Sequence, residues 1–318
     1  MVVLLIIENS RLLLTSGSRS YYPYTLEETN KNNGLTGGST MNKIMFFILV
    51  SLLLGGCQEA ENQSELQPEP QAVETAQTTP DAYYEYLWCK QGENYSTETS
   101  QAYVADWNAA IDELEDSPYA SMAYFPRGWE ADGYDGLWVL RWDDKGTSEK
   151  GWSNYVASGT EDTLQEKHPD VLECGSETGV DRFGFDTYIP RPAPAEFSDA
   201  EPPYFVTNQF CTFNEGKSAK DVRAAIQGHY LPFLEASAET NPDSTYFFMI
   251  GRPDFEPAEP MDFNWINLWA TVAEGEASQT AFNESDEGKA ILSEMDEAAT
   301  CQDAQPWDAR FLRKPVNG

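Results

Sequence analysis

The sequence predicts an α+β protein in which one β-α-β-β-α-β unit occurs twice in tandem. The segment Leu137–Trp142 recurs as Asn264–Trp269, with a Trp-x3-Trp spacing in both copies. The offset between the two segments is 127 residues, and the same offset relates Cys174 to Cys301. Because a rare aromatic pair and a cysteine repeat in one register, the second half is interpreted as a diverged copy of the first.

A second block of the chain repeats with a slightly different offset. Cys89 and Cys211 are 122 residues apart, and the same shift pairs Ser96 with Ser218. The difference of five residues therefore falls between the two blocks, in the Pro- and Gly-rich stretches 117–136 and 241–263. Loops tolerate such changes in length.

The composition allows folded cores and excludes one class of partner. Of the 318 residues, 41% are hydrophobic and 13% aromatic, which is enough to bury a core. The chain has 53 acidic and 20 basic side chains, so its net charge is −33. Such a charge repels the phosphate backbone, and nucleic-acid binding is excluded.

The segment Met41–Cys57 has the organisation of an export signal. Lys43 supplies the charged start, and the apolar run Ile44–Leu54 is too short to span a bilayer. The ending Leu-Gly-Gly-Cys at 54–57 resembles the lipobox of bacterial lipoproteins. That resemblance implies cleavage before Cys57 and acylation of Cys57, for example by palmitate. An ordinary secretory signal with an incidental cysteine is the alternative.

The regions around this signal are interpreted by their composition. Residues 1–40 precede the signal and are expected to be a non-native upstream extension, with translation starting at Met41. Residues 58–81 are rich in Gln, Glu, Pro and Thr and are expected to form a flexible acidic linker. Gln58 follows the lipidated position, which by analogy with enteric bacteria suggests an outer-membrane anchor facing the periplasm.

Four further cysteines are present, two in each copy: Cys89, Cys174, Cys211 and Cys301. An even number in an exported chain favours disulfide bonds, and four cysteines permit three connectivities. A metal site is the rival interpretation. It is disfavoured because no close Cys-x2-Cys pair exists and the chain has only two histidines.

Local patterns predict the elements of each unit. Aromatic and β-branched runs predict first strands at 83–88 and 204–210, and helical spacing predicts helices at 100–114 and 218–233. Second strands are expected at 120–125 and 245–250, followed by the Trp-containing third strands. Helices are then expected at 159–173 and 286–300, and last strands at 182–189 and 310–312.

This order of elements is that of the ferredoxin-like unit. Two fused units, at 82–192 and 203–318, resemble the dimeric α+β barrel superfamily, in which two sheets face each other and the helices lie outside. In that fold the fourth strand lies beside the first. The resemblance therefore implies disulfides within each copy, Cys89–Cys174 and Cys211–Cys301.

Alternation along the third strands identifies candidate ligand-lining residues, because residues two apart share one face of a strand. Ile266 and Leu268 suit packing on helices, so the opposite face is expected to point between the sheets. That face carries Trp138 and Trp142 in the first copy and Trp265, Asn267 and Trp269 in the second. Indoles with a polar group are typical of a small-molecule site, whereas a barrel core filled by aromatics is the alternative.

His229 is the remaining candidate site residue, since it aligns with Trp107 and distinguishes the two copies. The resembled superfamily includes monooxygenases and haem-handling proteins. None of their motifs is matched, so no catalytic residue, metal or cofactor is predicted. The sequence favours a membrane-anchored extracytoplasmic module that binds a small molecule or an envelope protein. An enzyme of the barrel type using His229 and a structural envelope protein are the alternatives.

Overall fold

The computed structural model describes residues 79–175, 182–194, 197 and 199–315. The chain divides into two compact units, 1–76 and 77–318, and every described residue belongs to the second. The predicted upstream extension, signal peptide and lipidated Cys57 therefore lie outside the described residues, as does most of the linker. Within the described part of the chain, no helix is both long and apolar enough to cross a bilayer.

The first repeat contains five strands and three helices. In chain order they are β1 (Ala82–Gln91), α1 (Thr97–Asp112), β2 (Ala120–Pro126), β3 (Gly136–Trp142), α2 (Lys145–Ser158), α3 (Thr160–Lys167), β4 (Leu172–Cys174) and β5 (Arg182–Arg191). The helix expected at 159–173 is thus shorter, and α2 precedes it.

The second repeat follows the same order. Its elements are β6 (Tyr204–Phe213), α4 (Ala219–Ala225), a π-helical turn (Ile226–Tyr230), α5 (Leu231–Thr240), β7 (Phe247–Pro253), β8 (Phe263–Trp269), α6 (Val272–Glu284), α7 (Asp286–Ala298), β9 (Ala299–Cys301) and β10 (Gln305–Arg313). The last strand is longer than the expected 310–312, and α6 was not predicted.

The first helix of each repeat begins where the sequence places a capping serine. Ser96 accepts a hydrogen bond from the backbone N–H of Thr99, and Ser218 forms a capping box with Asp221. Such caps satisfy N–H groups that have no partner inside the helix. The helix of the first repeat then buries Tyr103, Trp107 and Ile111 on one face, so cap and apolar stripe together fix its position on the sheet.

Eight of the ten described strands close into an antiparallel barrel. The order is β1-β3-β2-β10-β6-β8-β7-β5, with β5 returning to β1. Each repeat supplies a four-stranded sheet, and the last strand of one repeat pairs with the second strand of the other: β5 with β7 and β10 with β2. The predicted fold class, tandem ferredoxin-like repeats forming a dimeric α+β barrel-like domain, is confirmed.

Both predicted disulfides are present. Cys89 bonds Cys174 and Cys211 bonds Cys301, with Cα–Cα distances of 4.1 and 4.0 Å. The second cysteine of each pair lies on a short strand, β4 or β9, that pairs directly with the first strand of its repeat. These three-residue strands were not predicted, since they are too short to show alternation.

The core has three layers. One fills the barrel interior with residues such as Tyr86, Tyr124, Phe185 and Trp307. The other two lie outside the barrel, between each sheet and its helices. The expected orientation of the Trp faces is therefore wrong. Trp138 and Trp142 pack under the helices of the first repeat, and Trp265, Asn267 and Trp269 lie on the equivalent side of the second, while Ile266 and Leu268 point into the barrel.

Candidate functional site

A cavity of about 80 Å³ lies between the first sheet and helices α1, α2 and α3. Its wall on the sheet side comes from β1 and β3, and its other walls come from the helices and the 114–118 loop. The lining residues include Leu87, Tyr103, Trp107, Ile111, Trp138, Leu140, Trp142, Gly151, Trp152, Tyr155, Glu161 and Cys174. Aromatic rings therefore dominate the walls of a small cavity, as is usual for small-molecule sites.

The rings around the cavity support one another. The Trp138 ring lies 4.9 Å from Trp107 and 6.2 Å from Tyr103, centroid to centroid, both edge-to-face. Trp152 lies 6.4 Å from Trp142. Such contacts add about 0.5–1.5 kcal/mol each beyond burial, so the cavity has a firm wall.

Gly151 allows α2 to approach the sheet at the cavity edge. A Cβ atom at this position would lie 2.4 Å from Cζ3 of Trp142 and 2.3 Å from the carbonyl oxygen of Asp116. These separations are below any real contact of a Cβ. The close approach of helix and indole therefore depends on the absence of a side chain here.

Two indole N–H groups at this site have no acceptor among the residues that the structure describes. Nε1 of Trp138 and Nε1 of Trp142 are both buried and make no hydrogen bond. A buried donor without a partner costs about 1–3 kcal/mol. The first-repeat cavity thus combines apolar walls with unused hydrogen-bond donors on two of its lining residues.

The second repeat shows how such a donor is satisfied. Trp265, the counterpart of Trp138, donates its indole N–H to Oδ1 of Asn267 at 2.8 Å. Tyr246 donates to the same oxygen at 2.8 Å, and Asn267 donates to Oγ1 of Thr207 at 3.1 Å. At the position of Asn267 the first repeat has Leu140. The indole N–H of Trp138 is therefore unpaired because Leu140 replaces the asparagine that accepts the equivalent bond in the second repeat.

The same second-repeat layer continues to Tyr230. Its hydroxyl lies 2.5 Å from that of Tyr246, and both side chains are buried. Burial raises the pKa of Tyr230 to about 12. The layer is thus a network that is neutral at ordinary pH and in which donors and acceptors pair with one another. Such an arrangement is expected of a structural core. Trp269 is its exception, since its N–H has no acceptor.

A buried carboxylate lies beside the first-repeat cavity. Glu85 is 4% exposed and pairs across the strands with Leu140, one of the lining residues. Its Oε2 accepts hydrogen bonds from Ser148 at 2.9 Å and from the indole of Trp152 at 2.7 Å. Nε of Arg182 lies 3.8 Å from Oε1. The acid is held by α2 and lies next to two lining residues, Leu140 across the strands and Trp152 through its hydrogen bond.

A second polar group joins this edge of the site to the other repeat. Tyr83 donates its hydroxyl to Oδ2 of Asp254 at 2.9 Å, and Lys145 lies 2.6 Å from the same oxygen. Burial is the largest cause of the raised pKa of Tyr83, and the hydrogen bond to Asp254 adds to it. The N-terminal end of α2 is thereby fixed to the loop that follows strand β7.

The histidines lie away from the cavity. The side chain of His229 is half-exposed on the π-helical turn, and its Nε2 is 3.0 Å from Glu294. It borders an open groove between the π-helical turn with α5 on one side and α7 on the other, not the barrel interior. His168 bonds Asp106, and Lys167 and His168 together lower the pKa of that carboxyl through their hydrogen bonds. The enzyme alternative required His229 to face inward, and the structure shows that it does not.

Of the predicted ligand-lining residues, the structure brings only Trp138 and Trp142 together at the cavity. Cys174 of the predicted disulfide also lines it. Sequence reasoning missed Glu85, Trp152 and Tyr155. A signal for the first was present, because an acidic residue interrupts the aromatic run Ala82–Trp88. Among the described residues, no group of three or more His, Cys, Asp and Glu side chains is arranged to hold a metal ion.

Comparison with known proteins gives fold-level similarity only. No family model and no curated protein matches the sequence. An anthrone oxidase-like protein shares 12% identity at a TM-score of 0.41, with 74% of this chain and 95% of that chain covered. A candidate monooxygenase from Lactobacillus acidophilus shares 10% identity at a TM-score of 0.42, with coverage of 74% and 96%.

A chlorite dismutase variant from Candidatus Nitrospira defluvii is similar to the same degree, with 12% identity, a TM-score of 0.41 and coverage of 74% and 93%. The fold assignment rests on the strand pairing described above, and the functional argument rests on the residues of the site.

Proposed function

We propose that this protein binds a small, mainly apolar molecule with one hydrogen-bond acceptor in the first-repeat cavity. The observation that carries the proposal is the unpaired indole N–H of Trp138 in an aromatic cavity, set against the paired N–H of Trp265 in the second repeat. A ligand oxygen near Trp138 would play the part that the amide of Asn267 plays in the other copy.

The size of the cavity limits the ligand. About 80 Å³ is smaller than the roughly 150 Å³ apolar cavity that holds benzene in another protein, so the ligand has on the order of six non-hydrogen atoms or fewer. The indoles of the lining offer hydrogen-bond donors. Among the described lining residues, the carboxylates are Asp116 of the loop and Glu161, which accepts a hydrogen bond from Tyr155 at 2.6 Å. A neutral ketone, aldehyde or similar acceptor fits this chemistry.

Titration calorimetry with cyclopentanone and cyclopentane tests the proposal. The ketone offers the acceptor and the hydrocarbon is its apolar control. We expect saturable binding of the ketone that is about five- to tenfold tighter than that of the hydrocarbon, the worth of one hydrogen bond. Trp138→Phe removes the donor and should abolish this preference, whereas Trp265→Phe should leave it unchanged. Equal binding of both compounds, or none, would refute the proposal.

An enzyme of the barrel type, such as a monooxygenase, is the second candidate, and Glu85 is the observation that favours it. A buried carboxylate next to a small-molecule cavity is suited to taking a proton from a bound substrate. Oxygen uptake in the presence of cyclopentanone, which fits the size limit and has an acidic α-proton, would support this role if it is lost in Glu85→Gln with binding retained. Absence of turnover of this ketone would leave binding as the function.

A haem-related version of that candidate does not fit the first-repeat cavity. The cavity of about 80 Å³ is far too small for a porphyrin, and neither histidine lines it. His168 is held by Asp106 and His229 by Glu294. No chemistry through haem is therefore derived.

The cellular setting is also a proposal. We infer that the chain is anchored in the envelope by a lipid on Cys57, with the folded part outside the cytoplasm, as the lipobox-like sequence suggests. The two disulfides support an oxidising compartment. Mass spectrometry of the mature N-terminal peptide should show an acylated Cys57, and Cys57→Ala should release the protein from the membrane fraction. An unmodified Cys57 would contradict this.

A further inference from the structure

A second group of unused polar atoms lies inside the barrel, at one end. Strands β1 and β6 run in the same direction, so the later parts of both strands and the starts of β8 and β10 meet at this end. Tyr86 and Asn208 occupy equivalent positions of the two repeats, 122 residues apart. Asn264 and Trp307 face inward on the neighbouring strands β8 and β10.

These residues form a connected set. Trp307 of β10 lies opposite Val206 of β6, two residues before Asn208. Asn264 of β8 lies opposite Phe210 of β6, two residues after Asn208. Diagonal neighbours on a sheet are within reach of large side chains. The Trp307 ring is 6.1 Å from Tyr124, whose ring is 6.3 Å from Tyr86. The polar groups of the second repeat thus connect across the interior to the first.

Each of the four has one polar atom without a hydrogen-bond partner in the described part of the chain. The hydroxyl of Tyr86, Oδ1 of Asn208, Oδ1 of Asn264 and Nε1 of Trp307 are all buried and unpaired, in residues that are at most 4% exposed. Buried polar atoms are paired in the great majority of proteins, and each exception requires an explanation. Four exceptions at one end of one barrel point to a missing partner molecule.

The surroundings define the chemistry of that molecule. The wall is aromatic, with the rings of Trp88 and Trp129 lying 6.1 and 4.6 Å from Trp307. Along β1 the inward positions from Tyr86 are uncharged until Lys90. Lys90 is exposed and lies over the ring of Tyr134. Two amide oxygens require donors, the indole requires an acceptor, and the phenol can serve as either.

We propose that this end of the barrel is a second binding site, for a small uncharged molecule of the amide or urea class. An amide group supplies N–H donors for Asn208 and Asn264 and a carbonyl oxygen for Trp307. Trp129, on the loop that follows β2, covers the site and is fixed by a hydrogen bond from its Nε1 to the carbonyl oxygen of Pro306 at 2.8 Å. The site shares no residue with the first-repeat cavity.

Saturation-transfer NMR with acetamide tests the proposal, with acetone as a probe of similar shape that has no donor. We expect acetamide to bind saturably and acetone to bind at least about tenfold more weakly. Asn264→Leu and Asn208→Leu should each weaken acetamide binding by about tenfold. Trp307→Phe, which keeps an aromatic ring, should do the same.

The outcomes separate this site from the first-repeat cavity. Trp138→Phe should leave acetamide binding unchanged, and Asn264→Leu should leave cyclopentanone binding unchanged. A thermal melt of each variant confirms that it is folded. If acetamide fails to saturate, if acetone binds equally, or if both asparagine variants bind acetamide like the wild type, the unpaired atoms hold water alone and the proposal is wrong.

Discussion

Leu140 occupies in the first repeat the position that Asn267 occupies in the second, and this exchange separates a cavity from a closed polar layer. Around Asn267, the donors of Trp265 and Tyr246 are paired. Around Leu140, the donor of Trp138 is unpaired and space remains. The two copies therefore share a fold, and this layer contains a cavity in the first copy and a closed polar network in the second.

Asn267→Leu should destabilise the protein by about 2–4 kcal/mol. The change leaves the indole N–H of Trp265 and one hydroxyl of the Tyr230–Tyr246 pair buried without an acceptor, and each unpaired group costs about 1–3 kcal/mol. Urea denaturation followed by tryptophan fluorescence measures the difference. A variant as stable as the wild type would show that the layer contributes nothing.

Gly151→Ala should destabilise the protein by about 1–3 kcal/mol and weaken ligand binding. The new methyl group meets the ring of Trp142 and the carbonyl of Asp116, so α2 must move away from the sheet. Gly228→Ala is the matched control, because a methyl group added there would meet no atom of another element within 4 Å and its helical backbone favours alanine. Thermal melts of both variants decide the matter; equal melting temperatures would contradict the close helix–sheet contact.

Removal of either disulfide should cost about 2–4 kcal/mol, since each bond closes a loop of 85 or 90 residues. The double variants Cys89→Ala/Cys174→Ala and Cys211→Ala/Cys301→Ala should lose similar amounts of stability because the two bonds are equivalent. Peptide mapping of the non-reduced protein checks the connectivity, and a link between the two repeats would contradict it.

Stability should fall at acid pH partly through Asp144, which caps α2. Its Oδ1 accepts the backbone N–H of Thr147 at 2.7 Å, and this bond lowers the pKa of the carboxyl. Because the folded-state pKa lies below the unfolded value, the contribution is complete above about pH 5 and is lost as the pH falls through the folded-state pKa. Asparagine can still cap the helix but does not titrate. Asp144→Asn should therefore lose less folding stability than the wild type between about pH 5 and 2. If the wild type and Asp144→Asn lose stability identically as the pH falls, Asp144 does not contribute to the acid dependence.

Much of the fold could be predicted from the duplication. The register of Trp138 with Trp265 and of Cys174 with Cys301 identified the repeat, and the element order implied both disulfides. Helices α2 and α6 were missed because they contact the sheet through glycine. Gly151 meets Trp142 and Gly275 meets Phe205, so neither helix shows the apolar stripe by which sequence patterns are recognised.

The faces of the third strands could not be predicted for a different reason. Both sides of each strand are covered, one by the barrel interior and one by helices, so alternation divides the residues without saying which set points inward. Ile266 and Leu268 suit either layer. The bulky indoles lie under the helices, and the interior is closed by residues from all eight strands, such as Trp307, which no local pattern relates to Tyr86.

The most direct test of the cavity is the indole N–H signal of Trp138 in a ¹⁵N-correlated NMR spectrum. The protein has nine tryptophans, and Trp138→Phe assigns this signal by its loss. On addition of cyclopentanone, we expect a downfield shift of the Trp138 proton as it gains an acceptor, with the Trp265 signal unmoved. An unchanged Trp138 signal at saturating ketone, or an equal shift of Trp265, would contradict the assignment of the first-repeat cavity as the ligand site.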